Sequence, residues 1–237
     1  MKKDILGIKI DDLNINEAVE RVQGWLSKGG KYYIVTPNPE IIMAAQADDG
    51  YKRILSDADL SIPDGIGLKL FEGVKNRVAG ADLVDQLIRL SSDKGYRIGF
   101  LGGREGIAEK TKECLMRQYQ TISVEFAESG GRFDSEGNSL SEKKLVIPPL
   151  DILFVGLGQG KQEKWIAKNK NLFSVKVFMV VGGTLDYLSG SIPRAPKLIR
   201  NLGLEWLFRL ILEPWRIKRQ LSLIEYIWLL TKERISR

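Results

Sequence analysis

The stretch "DILFVGLGQGKQEKWIAKNK", residues 151–170, decides the fold. Ile152, Leu153, Phe154 and Val155 follow one another with no polar residue between them, and Gly156 and Gly158 come next. A strand that is apolar on both faces belongs in a parallel sheet covered by helices on both sides, whereas a half-solvated antiparallel strand alternates. From Lys161 onward the pattern turns amphipathic and helical. The stretch therefore predicts one βα unit with a glycine-rich turn at the junction.

The same order recurs in both directions along the chain. "VKVFMVVGG" (175–183) leads into "TLDYLSG", and "YRIGFLGG" (96–103) leads into the helical "EGIAEKTKECLMRQY". "KYYIVTPN" (31–38) precedes "PEIIMAAQAD" (39–48), with Pro39 suited to a first helical turn. "ADLSIPD" (58–64) and "TISVEFAESG" (121–130) read as further strands, and "GADLVDQLIRLSSDKG" (80–95) as a helix. At the start, "ILGIKI" (5–10) reads as a strand. "NINEAVERVQGWLSKGG" (14–30) reads as a helix capped by Asn14 with Glu17 three residues on, and closed by Gly29. Regular βα alternation implies an α/β fold with a Rossmann-like, mostly parallel sheet and helices on both faces. A C-terminal helical appendage follows it. We place the α/β domain at 1–193 and the appendage at 194–237.

Composition narrows the chemistry. Of 237 residues none is histidine and one, Cys114, is cysteine. No intramolecular disulfide can form, and no metal site built on clustered Cys or His is expected. An enzyme of this composition that must remove a proton near neutral pH has a carboxylate as its natural base. "MKKDILGIKIDDLN" lacks the pattern of a signal peptide, and no run of eighteen apolar residues predicts a membrane span. The net charge is +6, and the segment 194–237 carries ten Lys/Arg against four acids, so residues 1–193 are neutral. A neutral body with a basic tail suggests an anionic partner at one end.

In doubly wound sheets ligands bind beyond the carboxyl ends of the strands. The loops placed there are "TPNPE" (36–40), "PDGIG" (63–67), "LGGREG" (101–106), "GLGQGKQE" (156–163) and "GGTLD" (182–186). Asp64 can be read as a helix cap or as the base. Thr36 and Asn38 suit turn formation and capping. Gly158 and Gly183 suit backbone N–H contacts to a phosphate. Gln162, Glu163 and Asp186 begin the helices that follow, where a solvent-facing role is equally natural. "GLGQGKQE" has the spacing of neither a dinucleotide fingerprint nor a Walker loop. Asp57 and Asp59 form an Asp-x-Asp triplet, but it precedes its strand and so falls at the opposite edge, on the surface. In the tail, "GLEWLFRLILEPWRIKRQLSLIEYIWLL" (203–230) mixes tryptophans with arginines and long aliphatic runs. That mixture suits a lipid or protein partner better than nucleic acid.

Taken in order, "TPNPE", "PDGIG", "RVAGAD" (77–82), "KQEKW" (161–165), "GGTLDYLSG" (182–190), "RAP" (194–196) and "GLEWLFRLILEPWRIKR" (203–219) resemble glycosyltransferase family 26 over nearly the whole chain. These are bacterial enzymes of teichoic acid, enterobacterial common antigen, and capsule or exopolysaccharide synthesis. One position departs from the pattern: relatives usually carry proline before Lys-Gln-Glu, and Gly160 stands there. The resemblance implies an inverting, metal-independent transfer, with no cofactor, from a UDP-sugar to a polyprenyl-diphosphate-linked saccharide. N-acetylmannosamine-type or glucose-type sugars are the expected donors. The resemblance makes Asp64 the base, with Thr36, Asn38 and Arg77 beside it. It places Gln162 and Asp186 at the donor, where Gly158, Glu163 and Gly183 of the same loops are also expected, and gives Arg209, Arg216 and Arg219 the acceptor diphosphate. It also implies a peripheral place on an anionic membrane surface, on the cytoplasmic face. A homo-oligomer is compatible with the sequence, and no nucleic-acid partner is expected. Another Rossmann-type nucleotide-dependent enzyme, or a non-catalytic module that docks on membranes and senses a nucleotide, stays open at this level.

Overall fold

The computed structural model describes residues 2–71, 73–142, 144–214 and 217–235. The strand expected at 5–10 is instead a hairpin, β1 (Lys2–Ile5) and β2 (Ile8–Asp11), paired antiparallel with Ile5 opposite Ile8. Leu6 and Gly7 turn it with φ of 51° and 80°. Two successive positive φ values mark the tight primed turn whose twist matches a hairpin. The apolar pattern hid this turn, because Leu6 takes a conformation that non-glycine residues rarely adopt.

Six strands form the main sheet: β3 (Tyr32–Val35), β4 (Leu60–Ser61), β5 (Arg97–Gly102), β6 (Ser123–Glu128), β7 (Leu150–Gly156) and β8 (Val175–Val180). Their order is β4-β3-β8-β7-β5-β6, and every pairing is parallel. All seven residues of β7 are buried, as a central strand of a doubly covered sheet requires.

Alternate residues feed two cores. Tyr33, Val35, Leu153, Val155, Phe178 and Val180 point to one, and Ile34, Ile152, Phe154, Val177 and Met179 to the other. The first core is closed by the hairpin and by α2 (Pro39–Gln46), α3 (Asp49–Ser56), α4 (Ile66–Phe71) and α7 (Lys161–Asn169). The second is closed by α1 (Ile15–Lys28), α5 (Gly80–Lys94), α6 (Ile107–Gln118) and α8 (Thr184–Leu188). Helix α1 begins with the reciprocal Asn14–Glu17 capping box that its sequence announced. Helix α3, which the sequence pattern does not mark, is short and is started by the Asp48 side chain; the short α4 is the helix that follows Asp64.

Residues beyond 193 form α9 (Lys197–Asn201), α10 (Glu205–Leu212) and α11 (Ile217–Ile235). Tyr226 and Leu230 of α11 are buried in the first core, where α11 packs along α2 and touches α4. No helix among the described residues is long and apolar enough to cross a membrane.

Candidate active site

The carboxyl ends of the parallel strands open into one cleft of about 1530 Å³. Its walls carry Thr36, Asn38, Asp64, Arg77, Gly158, Gln162, Gly183, Asp186 and Arg209, all expected there from the sequence.

Asp64 stands two residues beyond Ile62, and backbone bonds fix its position from both sides. Its N–H donates to the Pro37 carbonyl at 2.9 Å, and the Val78 N–H donates to the Pro63 carbonyl at 3.1 Å. Among the described residues its carboxylate makes no hydrogen bond to α4, the helix that follows it, so it does not cap that helix. It faces the start of α5 instead. Gly80 makes this approach possible: a Cβ there would lie 3.2 Å from Thr36 Cγ2 and 3.5 Å from Asp64 Oδ2. Burial pushes the Asp64 carboxyl up to about 7, and the negative charge of Glu205 adds to this. The Gly80 amide and the Arg77 guanidinium pull the other way, while Asp82 adds a smaller upward push. A carboxyl titrating there takes up and releases protons at neutral pH, as general-base work requires.

The neighbours are held as firmly. Arg77 donates through Nη2 to the Arg200 carbonyl at 2.7 Å, tying the wall of the cleft to the end of α9. The Asn38 side-chain oxygen accepts from Ile41 N–H at 2.9 Å, so Asn38 caps α2 while also lining the cleft. Gln162 and Glu163 are not solvent-facing: they are 2% and 0% exposed. Gln162 Oε1 accepts from Gly182 N–H at 3.1 Å and its Nε2 donates to Glu163 Oε1 at 3.0 Å, joining the loops after β7 and β8. Glu163, expected at the donor, is instead fully buried behind the cleft wall, because its carboxylate turns back to accept from Gly160 N–H at 2.8 Å. Gly160 has φ of 79°, which a proline ring locked near −65° cannot adopt. The departure from the usual family residue therefore has a backbone consequence.

Arg209 reaches from α10 into the loop before α8. It pairs with Asp186 at 3.3 Å and Glu213 at 2.7 Å, and lies 5.0 Å over the Tyr187 ring. A Cβ at Gly183 would collide with its guanidinium, so glycine is what admits the arginine. The family resemblance places Asp186 at the donor and Arg209 at the acceptor diphosphate, and the structure brings the two together as one ion pair. Arg216 lies outside the described residues, and Arg219 sits on α11 with its side chain outside them. Asp57 is exposed beyond α3, and Asp59 accepts from Tyr33 N–H at 2.9 Å at the amino end of the sheet, away from the cleft.

The model of the Glycosyl transferase WecG/TagA/CpsF family matches residues 3–237. The chain belongs to this family. Three N-acetylglucosaminyldiphosphoundecaprenol N-acetyl-beta-D-mannosaminyltransferases, from Staphylococcus aureus strains MRSA252, NCTC 8325 / PS 47 and COL, are similar to it. Each is 30% identical over 238 residues, covering 98% of this chain and 92% of its own length. The protein is thus a glycosyltransferase.

Several groups in the cleft escaped the sequence reading. Arg104 and Arg132 line it, are exposed, and have no ion pair among the described residues. Arg104 sits in the "LGGREG" turn, where a single cation among glycines has no spacing that marks it. Arg132 begins a wall, residues 132–140, that three lysines of α7 hold in place. Lys161 donates to the Phe133 carbonyl at 2.8 Å, Lys164 pairs with Glu136 at 2.7 Å, and Lys168 donates to Asn138 Oδ1 at 2.8 Å. Glu205 also lines the cleft, and only its place in the family motif "GLEW" singled it out.

Proposed function

We propose that this glycosyltransferase moves a sugar from a UDP-sugar to a polyprenyl-diphosphate-linked saccharide in a single inverting displacement. N-acetylmannosamine is the first donor sugar to test and a GlcNAc-diphosphate lipid the first acceptor, because the similar Staphylococcus aureus enzymes carry those names. The observation that carries the reading is Asp64, a half-buried carboxyl poised near 7 on the wall of the cleft.

In the proposed step Asp64 accepts the proton of the acceptor hydroxyl as its oxygen bonds to the anomeric carbon. The bond from that carbon to the nucleoside diphosphate breaks, and its electron pair leaves with the diphosphate. Arg104, Arg132 and the amides of the Gly158 and Gly183 loops offer donors for the charge that develops there. Thr36, Asn38 and Arg77 orient the acceptor beside Asp64.

Residues 194–237 serve as the membrane-docking and acceptor-holding element. Leu202, Leu204, Trp206, Leu223 and Ile227 line the lip of the same cleft. On the same helices Leu198, Ile211 and Trp228 are 72%, 70% and 62% exposed. An apolar lip continuous with exposed aliphatic and indole groups, flanked by basic residues, suits a lipid acceptor presented at an anionic surface. The protein then works as a peripheral enzyme on the inner face of the membrane. Arg216 and Arg219 are assigned to the acceptor diphosphate by their place in the family motif.

The test is transfer from UDP-ManNAc to a short-chain GlcNAc-diphosphate lipid, followed by mass spectrometry. Asp64→Asn keeps the shape of the side chain but accepts no proton at neutral pH, and is expected to lose at least ~10²-fold in kcat. Near wild-type turnover by that variant would remove Asp64 from the role.

A further inference from the structure

Asp64 has to be ionised when the acceptor arrives, yet two of the charged groups facing it are acids. From α5 comes Asp82, from α10 Glu205, and from the loop before α5 Arg77, together with the Gly80 amide. Neither acid is left bare. Arg194 stands on both: Nη2 lies 2.7 Å from Asp82 Oδ1, and Nε lies 3.1 Å from Glu205 Oε1. Its remaining nitrogen, Nη1, lies 2.8 Å from Asp85 Oδ2. Arg200 adds a second cation on Asp82 at 3.0 Å, and its carbonyl is the acceptor for Arg77. The Arg194 side chain is 17% exposed and is not part of the cleft wall.

We propose that Arg194 is a positioning residue for the transfer. By holding Asp82 and Glu205 in ion pairs it fixes how much of Asp64 is ionised at neutral pH, and it ties that fraction to the seating of residues 194–205 against α5. The inference rests on the reading of Asp64 as the base.

The physical argument is one of compensated charge. A carboxylate near a half-buried carboxyl disfavours ionisation of that carboxyl, and a guanidinium on the carboxylate offsets much of its field. Three separate nitrogens meet three separate acids, an arrangement that a lysine, with a single point of charge, does not reproduce. Substituting the arginine leaves Asp82 and Glu205 with their charges and with less to balance them. Substituting Glu205 removes the larger of the two opposing charges and leaves Arg194 to Asp82 and Asp85. The two substitutions therefore move Asp64 in opposite directions, and loss of packing alone would not do that.

The experiment is the pH profile of kcat/KM for the wild type, Arg194→Gln, Glu205→Gln and Asp64→Asn, with the full-length chain. A parallel titration follows the Asp64 carboxyl by carbon-13 NMR, which needs no turnover. Arg194→Gln is expected to raise the acidic limb by about one pH unit, so that the loss is roughly tenfold greater at pH 6.5 than at pH 9. Glu205→Gln is expected to lower it. A loss equal at all pH values in Arg194→Gln, with the limb unmoved, would overturn the proposal. If Arg194→Gln does not fold, Glu205→Gln decides alone, and a limb that stays or rises overturns it. Turnover retained by Asp64→Asn would instead defeat the base assignment, and the NMR titration would still report whether Arg194 governs the carboxyl.

Discussion

Asp64→Asn is expected to make the protein more stable while disabling it, and the structure sets the size of the effect. In the folded chain the Asp64 carboxyl titrates at about 7, against an ordinary value of 3.8. Below 3.8 the group is protonated in both folded and unfolded chains and contributes no difference. Between 3.8 and about 7 the unfolded chain releases the proton while the folded chain keeps it, so stability falls as pH rises through this window. Above about 7 the whole penalty is present. Each tenfold displacement is worth about 1.4 kcal/mol, so the full penalty is on the order of 4 kcal/mol. Asparagine carries no such cost, and its side-chain oxygen can still face the Gly80 amide.

The assay is thermal or urea unfolding of wild type and Asp64→Asn between pH 4 and pH 8.5. For a chain of this length about 4 kcal/mol corresponds to a rise in Tm of roughly 10 °C. The advantage of the variant should be small at pH 4, grow through pH 5 to 7, and level off above. Other carboxyls also titrate abnormally: Glu163 and Asp85 are held high chiefly by burial. Asp48 is held low by its hydrogen bond to Lys164. All of these are common to both proteins, so the difference between the two curves isolates Asp64. A variant less stable than wild type at pH 8, or a difference that does not change with pH, would refute the claim that burial rather than pairing governs this carboxyl.

Three further outcomes follow from the same geometry. Arg104→Ala and Arg132→Ala should each raise the KM for the UDP-sugar by roughly tenfold or more, the loss of one charge-assisted contact, while circular dichroism stays unchanged because neither side chain has an ion pair among the described residues. Trp206→Ala and Trp228→Ala should each weaken flotation with anionic vesicles by about tenfold, and added salt should weaken wild-type binding further; unaltered flotation would remove the membrane role from α10 and α11. Tyr226→Ala should cost about 3–5 kcal/mol in urea unfolding, since Tyr226 is fully buried between α11 and the body; a neutral result would mean that α11 is not part of the core in solution.

The sheet is legible because burial on both faces leaves an unbroken apolar run, as in Ile152–Val155, and the glycines that follow mark the turn into the next helix. The position of Asp64 follows from the fold, since a residue just beyond a parallel strand has one place to go. Its role does not follow, because the contacts that set its charge come from Gly80, Arg77, Asp82 and Glu205, which are up to 141 residues away along the chain. The tail presents the same difficulty in stronger form. Its composition changes sharply near Arg194, and a change in composition reads as a boundary. Yet Arg194 holds α5, Arg209 fills the space beside Gly183, the Arg200 carbonyl receives Arg77, and Tyr226 lies in the core with α2. Each contact joins a basic or aromatic residue of the tail to a glycine, an acid, an arginine or an apolar face of the body, and none has a periodicity or spacing that a single sequence exposes. A segment that carries the net charge for a surface outside can at the same time supply the charges that tune the site inside. For this reason deletion of residues 194–237 is a poor test of membrane docking: it would also uncover the first core and release Asp82 and Asp85. Point changes at exposed positions such as Trp228 separate the two roles, because they alter the outward face and leave the arginines seated on α5 in place.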